Sequence, residues 1–260
     1  MSRKTVLEAH DLVKTYVHRE EAGNGGTHAL DHVNLSVAEG EFLGIMGPSG
    51  SGKSTLLNCL STIDKPTSGS VRIGTADIGS FNASQLACFR REQLGFVFQD
   101  SNLLDTLTCY ENIALALTIK KTPAREIEPR VRRTAKLLSI EDVLDQYPYQ
   151  VSGGQAQRVA CARATVGSPH LVLADEPTGA LDSRAAAQLM QTFDLLNRMG
   201  SSILMVTHDP VSASWCSRIV FIRDGRLWGQ IERGDKVRET FYADIIEVVA
   251  KLGEGGADAR

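Results

Sequence analysis

The sequence predicts an α/β fold, and three observations carry the prediction. A short apolar run, "EFLGIMG" at 41–47, ends in a glycine-rich turn followed by a helical pattern. Strand, turn and helix therefore succeed one another between Phe42 and Ser61. A second apolar run, "HLVLADEP" at 170–177, leads through an amphipathic helix to a third, "SSILMVTHD" at 201–209. Between these two halves, residues 100–168 change character and become rich in helical patterns and charge.

Taken in order, residues 3–46 read as short strands: "TVLEAHDLV", "HALDHVNLSV" and "GEFLGIMG". The polar, glycine-rich stretch "HREEAGNGGTH" at 18–28 reads as an exposed loop. "KSTLLNCLS" at 53–61 is helical. In "KKTPAREIEPRVRRTAKLL" at 120–138, Val131, Ala135 and Leu138 fall at i, i+4 and i+7, one apolar stripe with a solvated basic face. The segment "DSRAAAQLMQTFDLLNRMG" at 182–200 places Leu189, Phe193 and Leu196 on one side. Asp182 or Ser183 can cap its start and Gly200 its end. "RIVFIRDGRLWGQI" at 218–231 sets Asp224-Gly225 between two apolar runs, a hairpin signal. A last helix, "ETFYADIIEVVAKLG", aligns Phe241, Ile245, Val248 and Leu252, with Gly253 expected to end it.

Composition narrows the class. The chain has 260 residues, 42% hydrophobic and 23% charged, with a net charge of −3, which argues against a whole-chain basic field for nucleic acid. No apolar run approaches a membrane span; Ile113 to Ile119 is only strand- or core-sized. The opening "MSRKTVLEAHDLVKTY" lacks the apolar centre of a secretory signal. Cys59, Cys88, Cys109, Cys161 and Cys216 are scattered, so they read as small buried side chains in a reducing cytosol. A cytoplasmic chain of this kind reaches a membrane only by docking on a partner.

"GPSGSGKST" (Gly47, Pro48, Ser49, Gly50, Ser51, Gly52, Lys53, Ser54 and Thr55) matches G-x-x-x-x-G-K-[ST] after a buried strand and before a helix. Glycines let successive N–H groups converge on phosphate oxygens, and the helix start adds partial positive charge. Lys53 can reach the β- and γ-phosphates and the Ser54 hydroxyl can ligate Mg²⁺. "LVLADE" at 171–176 delivers Asp175, suited to Mg²⁺, to the end of an apolar strand. Glu176 adds a carboxylate placed to orient or deprotonate a water. Together these mark a nucleoside triphosphatase of the P-loop class. No Asn-Lys-x-Asp guanine reader is present.

"VSGGQ" at 151–155 supplies Ser152, Gly153, Gly154 and Gln155, a second helix start fit for an anion about 100 residues after the first. One chain cannot easily wrap both around one phosphate. With Gln99, Asp182 and His208, these motifs resemble the signature of the ABC (ATP-binding cassette) ATPases, from about Val6 to Arg226. Val151 stands where that family usually has leucine. The resemblance implies a P-loop ABC ATPase core with an N-terminal antiparallel β subdomain and an inserted helical signature subdomain. It implies one ABC ATPase domain: core 1–99 and 167–230, helical part 100–166, end helix 231–260. It also implies a head-to-tail homodimer that sandwiches two ATP molecules, each signature facing its twin's nucleotide. Tyr16 would stack on adenine; Gln99 would touch Mg²⁺ and the attacking water. His208 would hold the γ-phosphate, and Asp182 would cross the dimer interface.

The family mostly drives transporters. Its DNA-repair branch carries a long coiled coil between phosphate loop and signature, and its ribosome branch two cassettes per chain; neither pattern is here. The implied partner is a separate integral membrane permease, at the cytoplasmic face of a bacterial membrane, docking near Gln99–Asn112. Leu103, Leu104 and Leu107 would face it, or belong to the helical segment's own core. "GFVFQDSNLLDTLTCYENI" with "ADEPTGALDS" is similar to the macrolide-export, lipoprotein-release and cell-division (MacB/LolD/FtsE-like) group. "FQDSNLLDTLT" and the tail most resemble the bacitracin-type (BceA) peptide-resistance ATPases. Lipoprotein release, macrolide export, cell division and a non-transport ATPase are the competing jobs.

Overall fold

Alternation of buried and exposed side chains makes the first two segments strands, as in Val33, Leu35 and Val37, each buried with a polar neighbour between. A computed structural model describes residues 4–16 and 26–254, the side chain of Glu254 excepted. It divides into two compact units, 1–82 with 204–260, and 83–203. The first unit begins with β1 (Thr5–Tyr16), β2 (Thr27–Ala38), β3 (Phe42–Met46), α1 (Lys53–Leu60), β4 (Ser68–Ile73) and β5 (Ala76–Asp77). The second holds α2 (Ala83–Gln93), β6 (Leu94–Val97), α3 (Cys109–Ile119), α4 (Ala124–Leu137), α5 (Gly153–Thr165), β7 (Leu171–Asp175) and α6 (Ser183–Arg198). The chain returns to the first unit within β8 (Ile203–Val206), then forms α7 (Pro210–Ala213), β9 (Arg218–Arg223), β10 (Arg226–Glu232) and α8 (Arg238–Glu254).

In the first unit an antiparallel sheet runs β2-β1-β4-β5. Asp11 and His32 both take positive φ where the β1–β2 register shifts, and His32 Nδ1 lies 2.6 Å from Asp11 Oδ1 across the irregularity. The strand β3 pairs in parallel with β9, Leu43 opposite Arg218 and Met46 opposite Phe221. All five of its residues are buried, as a strand covered on both faces requires. The hairpin β9–β10 turns at Asp224 (φ +50°) and Gly225 (φ +76°), the left-handed pair that a two-residue hairpin turn demands.

In the second unit β6 and β7 pair in parallel, Leu94 opposite Leu171. Helix α5 packs on β6, α3 and α6. The stripes read from the sequence are the buried ones: Val131, Ala135 and Leu138 around α4, and Leu189, Phe193 and Leu196 on α6.

Several expectations change. The compact units meet at 82/83 and 203/204, and in the second of them α5 packs on β6. The strands β4 and β5 and the helix α2 have no counterpart in the sequence reading. Helix α8 runs through Gly253 to Glu254 rather than stopping there. Cys88 is exposed, against expectation, because α2 buries none of its residues. The other four cysteines are buried; burial pushes the Cys59 thiol up to about 11 and the Cys161 thiol up to about 12, so neither is a thiolate at neutral pH. The loop expected at 18–28 lies outside the described residues over 18–25, and its last two residues, Thr27 and His28, belong to β2 instead; the end of the expected 231–260 segment after 254 also lies outside the described residues.

Candidate functional site

The residues singled out by the sequence divide between the units. Tyr16, Gly47–Thr55 and His208 belong to the first; Gln99, Ser152–Gln155, Asp175, Glu176 and Asp182 belong to the second.

In the first unit the glycine loop sits between β3 and α1 as expected. Gly50 (φ +76°) and Gly52 (φ +100°) take left-handed conformations. A Cβ on Gly52 would stand 2.4 Å from the Ala29 carbonyl oxygen, and one on Gly47 2.1 Å from that of Ile222. Gly52 is the N-cap of α1 and carries no side chain to compete for the first-turn N–H groups. The loop is braced from behind: Gly225 N–H donates to the Ser51 carbonyl at 3.0 Å, and Asp31 N–H to the Gly225 carbonyl at 2.9 Å. Lys53, buried, donates Nζ to the carbonyls of Gly47 (2.9 Å) and Pro48 (2.7 Å), which holds its ammonium over the loop. This is a backbone cradle for phosphate oxygens with one fixed cation.

Tyr16 closes β1 and is 38% exposed. Its hydroxyl donates to Asp64 at 2.8 Å, Lys14 Nζ reaches Asp64 at 2.7 Å, and Nζ lies 4.9 Å from the Tyr16 ring centroid. Burial pushes Asp64 up, but the hydrogen bonds from Lys14 and Tyr16 more than reverse it and leave its carboxyl below the ordinary value. One ring face of Tyr16 is thus occupied, so a base stacked on it would use the other. His208 follows β8 and is exposed.

In the second unit Asp175 ends β7, half-buried, and Glu176 follows with φ +43°. A left-handed non-glycine residue costs about 1–2 kcal/mol, the kind of strain that collects at functional sites. The turn closes with Gly179 N–H donating to the Glu176 carbonyl at 2.9 Å. Gln99 lies two residues past β6, and a Cβ on Gly179 would stand 3.1 Å from its Cδ and Nε2, so any side chain there would have to push the Gln99 amide aside by a few tenths of an ångström. The turn after Glu176 and the side chain of Gln99 are therefore brought together.

Ser152 caps α5: its Oγ accepts from Gln155 N–H at 3.3 Å, and Gln155 Oε1 accepts from Ser152 N–H at 3.0 Å. The Gln155 amide oxygen is thereby engaged in the cap. Gly154 is buried, and a Cβ there would stand 2.9 Å from Ala185 Cβ, so helix packing requires glycine. Gly153 differs: it is exposed, and its Cβ would meet only Leu181 Cδ2 at 3.6 Å. Asp182 caps α6, accepting from Ala185 N–H at 2.8 Å.

Reading from sequence missed the residues that hold these parts still. Gln157, 1% exposed, donates Nε2 to the carbonyls of Phe98, Gln99 and Pro177. Arg163 donates to those of Ser101 and Asn102. Asn112, fully buried, accepts from Leu104 N–H and donates to the carbonyls of Leu104, Leu107 and Thr108. The backbone after β6 is pinned along its length, which presents Leu104 47% exposed with Leu103 and Leu107 half-buried. No local pattern announces a partner 58 or 61 residues away.

Among the described residues no group of three or more His, Cys, Asp or Glu is assembled to hold a metal alone. The Ser54 hydroxyl in the first unit, and the Gln99 amide and Asp175 carboxylate in the second, each carry an oxygen of the hard type that Mg²⁺ accepts. No described helix is long and apolar enough to cross a membrane.

Comparison with known proteins agrees with this geometry. The ABC transporter family model matches residues 30–179. YvcR of Bacillus subtilis (strain 168), an uncharacterized ABC transporter ATP-binding protein, is 52% identical over 95% of each chain. The bacitracin export ATP-binding protein BceA of Halalkalibacterium halodurans is 44% identical over 95% of this chain and 97% of its own. The dimeric structure of MJ0796, a bacterial ABC transporter cassette, aligns with a TM-score of 0.77 at 40% identity, covering 87% of this chain and 98% of that one. The same cassette is known in a dimeric post-hydrolysis state bound to ADP and Pi, with a TM-score of 0.78. With the glycine cradle, the Glu176 turn and the capped signature helix in place, the chain belongs to the ABC transporter family and is one of its ATP-hydrolysing cassettes.

Proposed function

We propose that this cassette works as a head-to-tail homodimer, each copy closing the other's ATP site with the tip of α5, and powers a separate membrane permease. The observation that carries the reading is Gly153. It is exposed at a capped helix start, meets no packing constraint, and yet has no side chain. Such a tip lets a terminal phosphoryl group approach the first-turn N–H groups. In this reading Lys53 and the glycine loop hold the phosphates, while Gln99 and His208 orient the attacking water and the γ-phosphate. Glu176 accepts the proton from that water as it attacks. Ser54, Asp175 and Gln99 would hold Mg²⁺, which supplies charge neutralisation across the β- and γ-phosphates. Tyr16 stacks on adenine, and Asp182 faces the partner across the interface.

The permease would dock on the pinned loop between Gln99 and Asn112, at the cytoplasmic face of the membrane. Similarity to a bacitracin export protein over nearly the whole of both chains supports peptide-antibiotic resistance as the transporter's task.

Glu176→Gln tests the reading. Turnover should fall about a hundredfold or more, as for loss of a positioned base, while ATP binding persists. With ATP saturating, the variant should elute as a dimer on size exclusion. A monomer there, or wild-type turnover, overturns the reading. Deleting the gene should sensitise cells to cell-wall-active peptides; unchanged sensitivity removes the resistance assignment alone.

A further inference from the structure

We infer that Gln157 is a positioning residue for hydrolysis, coupling the signature helix to the two backbone segments that carry Gln99 and Glu176 of the same chain. The inference rests on the roles proposed above for those two residues.

Gln157 lies on α5, one turn beyond the helix start at Gly153. Its Nε2 donates to Phe98 O at 2.7 Å, Pro177 O at 2.9 Å and Gln99 O at 3.0 Å. Pro177 directly follows Glu176, and Gln99 is itself one of the three acceptors. Three carbonyl oxygens around one atom fix which end of the amide is nitrogen, since the oxygen there would meet three like partial charges. Oε1 is buried with no hydrogen-bond partner among the described residues. A buried acceptor without a partner carries a penalty, so the site retains an amide whose donor end serves the two segments.

A movement of α5 along its axis must therefore displace the Gln99 backbone and the turn after Glu176, or break these bonds. The consequence is directional. When a nucleotide engages the α5 tip, Gln157 carries the shift to the same chain's Gln99 and Glu176. A small misplacement of either lowers the chemical step far more than binding, since about 1 Å costs up to a hundredfold in rate.

The test uses the full chain with saturating ATP, comparing wild type, Gln157→Met, Gln157→Glu and Glu176→Gln. Turnover, KM and binding of a fluorescent ATP analogue are measured well below each unfolding midpoint. Gln157→Met preserves bulk and removes the donor. It should lower kcat about tenfold to a hundredfold and change KM and analogue affinity less than about threefold. Gln157→Glu, facing three carbonyls, can donate only when protonated. Its kcat relative to wild type should rise as pH falls from 8 to 6, a profile that a purely structural side chain would not produce. A folded Gln157→Met with wild-type kcat overturns the proposal. If that variant does not fold, a pH-independent Gln157→Glu ratio overturns it instead. Glu176→Gln with wild-type turnover overturns the underlying roles and this proposal with them. A silent Glu176→Gln beside an unimpaired, folded Gln157→Met overturns the proposal alone.

Discussion

Gly50 and Gly52 share a left-handed backbone but not surroundings, and the difference separates conformational strain from collision. An added Cβ on Gly50 meets nothing within 4 Å, whereas on Gly52 it would stand 2.4 Å from the Ala29 carbonyl oxygen. Gly50→Ala should therefore cost about 1–2 kcal/mol from φ alone. Gly52→Ala should cost more and displace the start of α1; urea unfolding of the two variants measures the difference. Asp64 sets a second expectation at this scale. Its folded carboxyl is more acidic than the ordinary value because Lys14 and Tyr16 donate to it. Its contribution to stability is thus complete above about pH 4, the unfolded value, and is lost as pH falls through the lower folded value. Between pH 4 and pH 2 the stability of Asp64→Asn should decline less steeply than that of wild type; parallel decline would count against the Lys14–Asp64–Tyr16 cluster. The glycines were legible because a motif of fixed spacing names them. Asp64 was not, since its partners lie 50 and 48 residues away.

Helix α5 shows why two adjacent glycines read alike in sequence and differ in the fold. Gly154 faces Ala185 of α6, where a Cβ would approach 2.9 Å; at Gly153 a Cβ would make only an ordinary 3.6 Å contact with Leu181 Cδ2. Gly154→Ala should destabilise by about 1–3 kcal/mol, the cost of overpacking. Gly153→Ala should leave the unfolding midpoint within a degree or two of wild type yet lower ATP turnover, the added methyl standing where the proposed dimer would bring a phosphate. Calorimetry and a coupled ATPase assay separate the two; equal effects on both would deny the tip its role. At this scale the sequence was legible wherever a period ran long enough. The stripes of α4 and α6 and the cap at Asp182 follow from spacing and residue type. Strands β4 and β5 escaped because "SGSVRI" is short and buries only Val71 and Ile73, and β5 is two residues long. Helix α2 escaped because it buries no residue and so shows no apolar face.

At the scale of the whole molecule, the question is whose signature completes whose phosphate site. The compositional bounds and the motifs gave the family, but the bonds that tie α5 to the Gln99 and Pro177 carbonyls are long-range and had no sequence signal. Mixing two inactive variants distinguishes the arrangements. Lys53→Ala removes the cation held on Gly47 and Pro48 and leaves α5 intact; Gly153→Asp places a carboxylate at the α5 tip and leaves the glycine loop intact. Each alone should be nearly silent, since both sites of its homodimer lack one half. In a mixed dimer of head-to-tail design, one site combines the two damaged halves and the other combines the two sound ones. Random exchange makes half the dimers mixed, with one of two sites whole, so an equimolar mixture should recover about a quarter of wild-type turnover if sites act independently. If each chain instead closed its own site, every site in every dimer would contain one damaged half and mixing would restore nothing. The recovered rate should also depend on protein concentration as the dimer does. Turnover that rises with concentration in the mixture and stays flat in each parent is the signature of a site that belongs to two chains.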